Sequence, residues 1–293
     1  MKALITGGSG FIGAEVARLV AQRADAKPVL FDLHPSPERL GDLAERVEVV
    51  RGNLGTFAHV LEAVRRAAPT VIFHLGGMLS LPSEEDPAGA LRANALGTYH
   101  VLEAARLFGV PQVLFTSSVG TYGLDLRERV LRDDTLQRPV NFYGATKVFG
   151  EHMGRFYRRT YGLDFRGVRY PSIVGPGVRT PGAVQYTSWM IEESAQGRPF
   201  RAWARPDTRA PVLYYKDAAR ALVELQQAPA ESIRTVVYLV AGPSPDPSAQ
   251  ELADAVARAA RDQPLQAAGP GVRKGKGRPS GVASSPAEQP FSK

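Results

Sequence analysis

The sequence predicts an α/β fold, a doubly wound parallel sheet with a small C-terminal substrate lobe. Three observations predict it. Short apolar runs alternate with longer amphipathic ones, the strand–helix order of right-handed crossovers. The runs "KALIT", "VLF" and "TVIFHL" are almost wholly apolar, as strands covered on both faces must be. A glycine triplet follows the first run and opens a helix.

In chain order, strands are expected at 2–6, 27–32, 47–52, 70–75 and 112–117, with a helix from Phe11 and further helices near 56–68 and 88–108. A long connection over 119–140 leads to a helix from Phe142 to Tyr161 and a sixth strand at 164–170. After "PSIVGPGVRTPG" prolines and glycines interrupt the pattern. A helix near 184–196, a strand around 211–214, a helix near 216–227, a strand at 234–240 and a helix at 247–261 follow. The expected organisation is a nucleotide-binding domain over 1–172 and a substrate lobe over 173–263, some of which returns to the sheet. A Gly-, Pro-, Ser- and Lys-rich tail over 264–293 is expected to be disordered.

Composition narrows the function. A hydrophobic content of 44% and a charged content of 22% are those of a soluble globular protein. The absence of cysteine excludes disulfides and thiolate chemistry. The five histidines have no ligand-like spacing, so no metal site is expected. Four of the seven net positive charges fall in 264–293, which leaves a mildly basic body and argues against a nucleic-acid partner. The N-terminus opens directly on a strand, without a signal-peptide pattern, and no apolar run approaches the roughly 18 residues of a membrane span. The expected location is the cytoplasm, with no membrane partner.

In "ALITGGSGFIGAEVARLV", Gly7, Gly10 and Gly13 stand at G-x-x-G-x-x-G spacing between a strand and a helix. Glycines there permit a tight turn and close approach of backbone to a pyrophosphate, which the positive end of the helix attracts. Asp32 ends the next strand, 19 residues after Gly13. A carboxylate at that position accepts hydrogen bonds from the adenosine ribose and repels a 2′-phosphate. Neither Leu33 nor His34 supplies a cation for such a phosphate. The motif therefore predicts a Rossmann domain that binds NAD.

"NFYGATKVFG" places Lys147 four residues after Tyr143, on one face of the predicted helix. A hydride acceptor needs a partner base for the alcohol proton. A phenol has an ordinary pKa of about 10, and an ammonium one turn away stabilises its phenolate. The pair is thus a candidate proton-transfer centre.

With "TGGSGFIG", "FHLGG", "NALGTYHVLEAA", "FTSSVGTYG", "YGATK" and "RYPSIVGPG" in this order, residues 1–260 resemble the extended short-chain dehydrogenase/reductase superfamily. The resemblance implies NAD-dependent enzymes, with Tyr143 and Lys147 as the catalytic pair and Ser118 as the hydroxyl that holds the reacting oxygen. It implies cofactor contacts from Gly7, Gly10, Phe11, Ile12, Gly13, Asp32, Asn53, Leu54, Leu75, Gly76, Gly77, Tyr143, Lys147, Tyr170 and Pro171. His74 is expected to be a satisfied structural histidine. Equivalent helices in the superfamily pair across a two-fold. Leu91, Leu96, Tyr99 and Leu102 on one helix, with Phe149, Met153, Phe156 and Tyr157 on the other, therefore imply a homodimer.

Within the superfamily, "MLSLPSEEDP", "YGLDFRGVRYPSIV" and "TRAPVLYYKDAARALVELQQAPAE" resemble the short-chain L-threonine 3-dehydrogenase branch. That branch implies oxidation of a small secondary alcohol, with Ser80 and Thr180 as substrate contacts beside Ser118. "TPGAVQYTSW" replaces the branch's glycine-rich substrate loop, and the tail replaces its usual C-terminal region. The alternative within the superfamily is a nucleotide-sugar epimerase or dehydratase. Ser172 where epimerases have Asn, and "RAPVLYYKD" in place of their diphosphate-holding stretch, stand against it. Arg179, Arg205 and Arg209 are expected on a solvated surface. A further alternative is an NAD-binding protein without catalysis.

Overall fold

The computed structural model describes residues 1–126, 128, 130–178, 182 and 184–262. Arg179, Thr180 and the 264–293 segment lie outside the described residues. In chain order the main elements are β1 (Lys2–Thr6), α1 (Gly13–Ala21), β2 (Lys27–Asp32), α2 (Pro37–Leu40), β3 (Glu48–Arg51), α3 (Phe57–Ala67) and β4 (Val71–His74). They continue with α4 (Ser80–Glu85), α5 (Pro87–Ala90), a π-helical turn (Leu91–Leu96), α6 (Gly97–Leu107), β5 (Gln112–Ser118), α7 (Phe142–Tyr161), β6 (Asp164–Tyr170) and β7 (Ser172–Val174). The C-terminal part adds α8 (Tyr186–Ala195), β8 (Val212–Tyr214), α9 (Tyr215–Gln227), β9 (Val237–Leu239) and α10 (Ala249–Asp262).

Seven strands form one parallel sheet in the order β3-β2-β1-β4-β5-β6-β9. Helices cover both faces. Ile5, Leu30, Phe73 and Leu114 pack against α1 and α9, whereas Leu4, Phe31, Ile72, Phe115 and Phe165 pack against α3, α6 and α7. Each such buried aliphatic or aromatic side chain contributes about 1.5–3 kcal/mol of hydrophobic stabilisation. The connections from β1 and β4 leave towards opposite faces, so a crevice opens at the carboxyl ends of these two neighbours, where doubly wound sheets bind ligands.

β7 and β8 form a separate two-stranded parallel sheet that the sequence pattern did not resolve at β7. β9 returns to the main sheet beside β6, and α9 packs on α1. The helix expected over 88–108 is interrupted by the π turn at Leu91–Leu96. Of the apolar helix residues that imply a dimer, Leu102 and Tyr157 are buried in the core and Met153 packs against it. Leu91, Leu96, Tyr99, Phe149 and Phe156 remain exposed.

α7 sits unusually close to the sheet. A Cβ on Gly150 would come within 2.7 Å of the Phe115 ring, and one on Gly154 within 2.2 Å of the Phe165 ring. Its start is fixed by Asn141, whose side chain accepts from the Gly144 amide at 2.7 Å, and its end by Gly162 in the left-handed region at φ +71°.

His74 ties three elements together. Its Nδ1 meets Thr6 Oγ1 at 2.7 Å and its Nε2 meets Thr98 Oγ1 at 3.0 Å. Thr98 donates to Asn94 O and so accepts from Nε2–H; Thr6 accepts from the Gly76 amide and so donates to Nδ1. The ring is fully satisfied while neutral. Burial, and then the charge of Lys147, hold its pKa at about 3 against an ordinary 6.5. Below pH 6.5 the unfolded chain therefore takes up a proton that the folded one refuses. Stability falls as pH drops from about 6.5 towards 3, by up to about 1.4 kcal/mol per pH unit. His74→Asn is expected to be less stable at pH 7, yet to lose less stability between pH 7 and pH 5 than the parent. Urea midpoints at the two pH values measure this, and equal losses would refute it.

Candidate active site

The turn after β1 closes on itself. Gly7 has φ +66°, the Gly10 amide donates to Gly7 O at 2.9 Å, and the Ala14 amide donates to Gly10 O at 3.1 Å. A Cβ on Gly13 would lie 2.1 Å from Gly7 O, and one on Gly7 would lie 2.9 Å from Gly76 Cα at the end of β4. Only hydrogen fits at either place. The result is a bare backbone cradle at the amino end of α1, with Phe11 and Ile12 half-buried beside it. Backbone amides and a helix dipole at such a cradle suit a pyrophosphate.

Asp32 lies beside the cradle. Its Oδ2 accepts from the Ser9 amide (3.2 Å) and the Ser9 hydroxyl (2.8 Å), and its Oδ1 accepts from the His34 amide (3.2 Å). Asn53 is exposed after β3, with its side chain turned to the Gly55 amide at 2.8 Å. Leu54 is buried against Gly76 and Gly97. Local sequence showed no cation beside Asp32. The β2–β3 register nevertheless sets Arg51 opposite it, with Arg51 Nε donating to Leu33 O at 3.2 Å.

Ser118, Tyr143 and Lys147 converge. Ser118 ends β5, and its Oγ accepts from the Gly120 amide at 3.0 Å. The first turn of α7 rests on this same turn, since a Cβ on Gly144 would lie 2.0 Å from Gly120 O. That contact brings the Tyr143 ring over Gly120 and next to Ser118. Lys147 reaches under it. Its Nζ donates to Thr116 O at 2.9 Å and lies 5.0 Å from the Phe115 ring centre and 5.6 Å from that of Tyr143. A Cβ on Gly77 would be 4.0 Å from this Nζ, so the ammonium borders the β4 loop.

The electrostatics run against both groups. Burial pushes the Tyr143 phenol up to about 12, while the Ser118 hydroxyl pulls it the other way. Burial also brings Lys147 down to about 8, with Glu151 opposing. The phenol was expected to be lowered towards neutrality; in the bare cleft desolvation outweighs its partners. The site holds a neutral phenol beside a mostly charged ammonium at pH 7.

On the substrate side, Ser80 opens α4 and is half-buried. Asn94, in the π turn, was not singled out from the sequence. Its carboxamide accepts from the Met78 amide (2.7 Å), donates to Met78 O (3.1 Å) and donates to Thr146 Oγ1 on α7 (3.2 Å). It clips the loop leading to Ser80 onto α7, and π turns often sit at functional sites. Its position inside "NALGTYHVLEAA" was the available signal. Tyr170 is turned into the core, with its phenol donating to Ala218 O at 2.5 Å, so its side chain is committed to α9 and faces away from the crevice. Pro171 is buried next to it. Beyond β7, Gly177 O accepts from Arg39 Nη2 at 2.8 Å, while Gly175 lies against the stacked rings of Phe11 and Tyr215. The cradle and the substrate-side loop thus touch. Thr180 lies outside the described residues. Among those residues, no group of acidic and histidine side chains is arranged to hold a metal.

A glycine cradle at the switch point, an acid on the second strand and a Ser–Tyr–Lys cluster define a dinucleotide-dependent oxidoreductase of the Rossmann type. The chain belongs to the NAD dependent epimerase/dehydratase family, whose pattern matches residues 3–241, and its cofactor is NAD. It is 31% identical over 255 residues to the mitochondrial L-threonine 3-dehydrogenase of Bos taurus, covering 86% of this chain and 67% of that one. The chain thus spans about two thirds of the bovine relative's length. It is 37% identical over 235 residues to D-erythronate dehydrogenase of Cupriavidus necator, covering 76% of this chain and 71% of the relative. Among solved structures it resembles the holo form of an L-threonine dehydrogenase from Cupriavidus necator, with a TM-score of 0.80, 27% identity and coverage of 89% and 84% of the two chains.

The cradle fits the cofactor because no side chain occupies it. Gly13→Ala, which forces a methyl group onto Gly7 O, is expected to weaken NADH binding at least about tenfold, or about 1.4 kcal/mol. Fluorescence titration measures the dissociation constant, and an unchanged value would show that the cradle is not where the pyrophosphate sits.

Proposed function

We propose that the protein is an NAD-dependent dehydrogenase that oxidises a secondary alcohol of a small hydroxy carboxylate, in the manner of L-threonine 3-dehydrogenase. The convergence of Ser118, Tyr143 and Lys147, with Lys147 bordering the β4 loop that meets Gly7, carries this reading. The similarity to enzymes named for L-threonine and D-erythronate, both small hydroxy acids, supports the substrate class.

The roles follow from the chemistry. Phe11, Ile12 and Gly13 would receive the pyrophosphate on backbone amides at the start of α1, and Gly7 and Gly10, whose amides bond Phe31 O and Gly7 O, would shape the turn and leave it room. Asp32 accepts from the adenosine ribose hydroxyls. Asn53 and Leu54 would border the adenine, and Leu75, Gly76, Gly77 and Pro171 would line the path to the reacting end. Bound NAD supplies the hydride acceptor and a positive ring. Ser118 holds the substrate oxygen, and Tyr143 takes its proton as the carbon–hydrogen bond breaks. Lys147 lowers the energy of the phenolate and holds the nicotinamide ribose. Its ammonium, with the positive ring, is what must overcome the desolvation that raises Tyr143. Ser80 and Thr180 contact the substrate.

Arg205 and Arg209, weighed as diphosphate partners, lie in exposed ion pairs at the surface, which gives a nucleotide diphosphate substrate no support. Arg209 is paired with Glu251 at 3.0 Å and donates to Asp246 O, and Arg205 is paired with Asp207. A cytoplasmic location belongs to the same proposal, on the likeness to a bacterial dehydrogenase; the bovine relative is named as mitochondrial.

Two tests address the reading. The first screens NADH formation with L-threonine, D-erythronate and related hydroxy acids, beside epimerase assays with UDP-sugars. Turnover of a hydroxy acid is expected, and Tyr143→Phe should cut it by about 10²–10⁴-fold with NADH affinity unchanged. Conversion of a UDP-sugar without net NADH would reverse the reading. The second concerns assembly. Leu91, Leu96 and Tyr99 lie exposed on and beside the π turn, and Phe149 and Phe156 on α7, which packs against it. A homodimer covering these side chains is proposed. Light scattering should give twice the chain mass, falling to a monomer in Phe149→Glu; a monomeric parent protein would refute it.

A further inference from the structure

The Asp32 carboxylate sits among converging donors. The Ser9 amide (3.2 Å) and hydroxyl (2.8 Å) reach Oδ2, and the His34 amide (3.2 Å) reaches Oδ1. Ser9 is 3% exposed, so little water competes for its hydroxyl. Donors arranged in this way suit an anion, and here the protein's own carboxylate fills the place.

Arg51 stands at the edge of the same place. In the β2–β3 ladder it is the Cα partner of Asp32, as Val49 is the partner of Leu30. Parallel partners present their side chains to one face, and Leu30 packs towards α1. Asp32 and Arg51 therefore both belong to the α1 side, where the cradle opens. The pairing is held past the strand end. The Gly52 amide donates to Asp32 O at 2.9 Å, and a Cβ on Gly52 would come within 2.3 Å of the Phe31 ring. From there the Arg51 side chain turns over β2, and its Nε donates to Leu33 O at 3.2 Å, one residue past Asp32. Among the described residues this is the one hydrogen bond of that side chain, which leaves both Nη groups for a ligand. Arg39, the first cation along the chain after β2, is committed elsewhere. It donates to Gly177 O at 2.8 Å and lies 5.8 Å from the Phe11 ring centre.

An adenosine ribose bound at Asp32 brings its 2′-oxygen to this edge. A free 2′-hydroxyl donates to the carboxylate. A 2′-phosphate would meet two opposed charges at once: the carboxylate repels it, whereas a guanidinium fork forms strong charge-assisted bonds to phosphate. Rejection of the phosphate is then a difference between two residues, of which Asp32 is only one.

We propose that Arg51 is a specificity-determining residue of the cofactor site: with Ser9 and the His34 amide it forms a 2′-phosphate site that the Asp32 carboxylate keeps filled. NADP is excluded by an occupant, and the cation that would hold its phosphate is already in place. The inference rests on the reading of Asp32 as the partner of the adenosine ribose.

Fluorescence titration with NADH and NADPH tests this without a substrate. Asp32→Ser empties the site. It is expected to bind NADH more weakly than the parent protein and NADPH at least about tenfold more tightly, since hydrogen bonds to charged groups are each worth about 1.5–3 kcal/mol. Adding Arg51→Met to that variant should remove at least about tenfold of the NADPH affinity and much less of the NADH affinity. An Asp32→Ser protein that loses NADH affinity and gains none for NADPH would overturn the proposal while the ribose reading stands. A gain that survives Arg51→Met would also overturn it. So would a loss shared equally by both nucleotides, which would leave Arg51 only a part in holding the Leu33 turn. Unchanged NADH affinity in Asp32→Ser would remove the ribose reading itself, and the proposal with it.

Discussion

The close seating of α7 on β5 and β6 is the constraint on which the rest of the site depends. Gly150 and Gly154 let the helix lie directly on the Phe115 and Phe165 rings, and Gly144 lets its first turn rest on Gly120 O. A methyl group at any of these would push the helix outward. Tyr143 would then leave Ser118, and Lys147 would lose Thr116 O. The seam is apolar along the Phe115 and Phe165 rings and polar at both ends, at Ser117 and Ser118 where β5 runs out and at the Arg158–Asp164 pair where β6 begins. Packing therefore sets the catalytic geometry, and hydrogen bonds trim it. The glycine cradle obeys the same logic on the neighbouring strand, where absent side chains let Gly7, Gly13 and Gly76 meet.

That dense seam has an electrostatic consequence. It strips water from both functional groups, raising Tyr143 to about 12 and lowering Lys147 to about 8. A shift of that size on Lys147 corresponds to roughly 3 kcal/mol against holding the cation. The cost is present below pH 8 and disappears as pH rises from about 8 to the ordinary 10.5, where the unfolded chain also releases its proton. A site that is stable in this form has its charge poised but its base not yet formed.

Much of this was legible in the chain. The strands at 2–6, 27–32, 112–117 and 164–170 were visible because buried parallel strands have a continuous apolar signature, which "KALIT" and "QVLFTS" carry. The order of motifs put the glycine turn and Ser118 at the same edge of the sheet, after β1 and β5, once a parallel sheet was accepted. What escaped depended on register and on side-chain direction. Arg51 meets Asp32 only because β3 pairs with β2 at that register. Tyr170 reads like a crevice residue, yet strand alternation turns its phenol towards Ala218. Asn94 gained its role from a π turn, which no periodicity over 88–108 announces. Glu151 and Arg169 drew no reading from the sequence, because their pairing joins a helix and a strand 18 residues apart.

The substrate end follows different rules. The reacting atoms are held by a helix and a sheet that cannot shift without breaking the seam. Ser80, the proposed substrate contact, stands at the start of a six-residue helix, and Arg39, Phe11 and Tyr215 hold Gly175 and Gly177 after β7 against the cradle. These are contacts of single side chains on connections, which tolerate change because little of the core rests on them. One scaffold can therefore keep its proton-transfer chemistry while its loops vary. That is the physical reason why relatives named for an amino acid and for a sugar acid both resemble this chain at a similar level. Reaction type is written in the seam, and substrate choice is written where the seam ends.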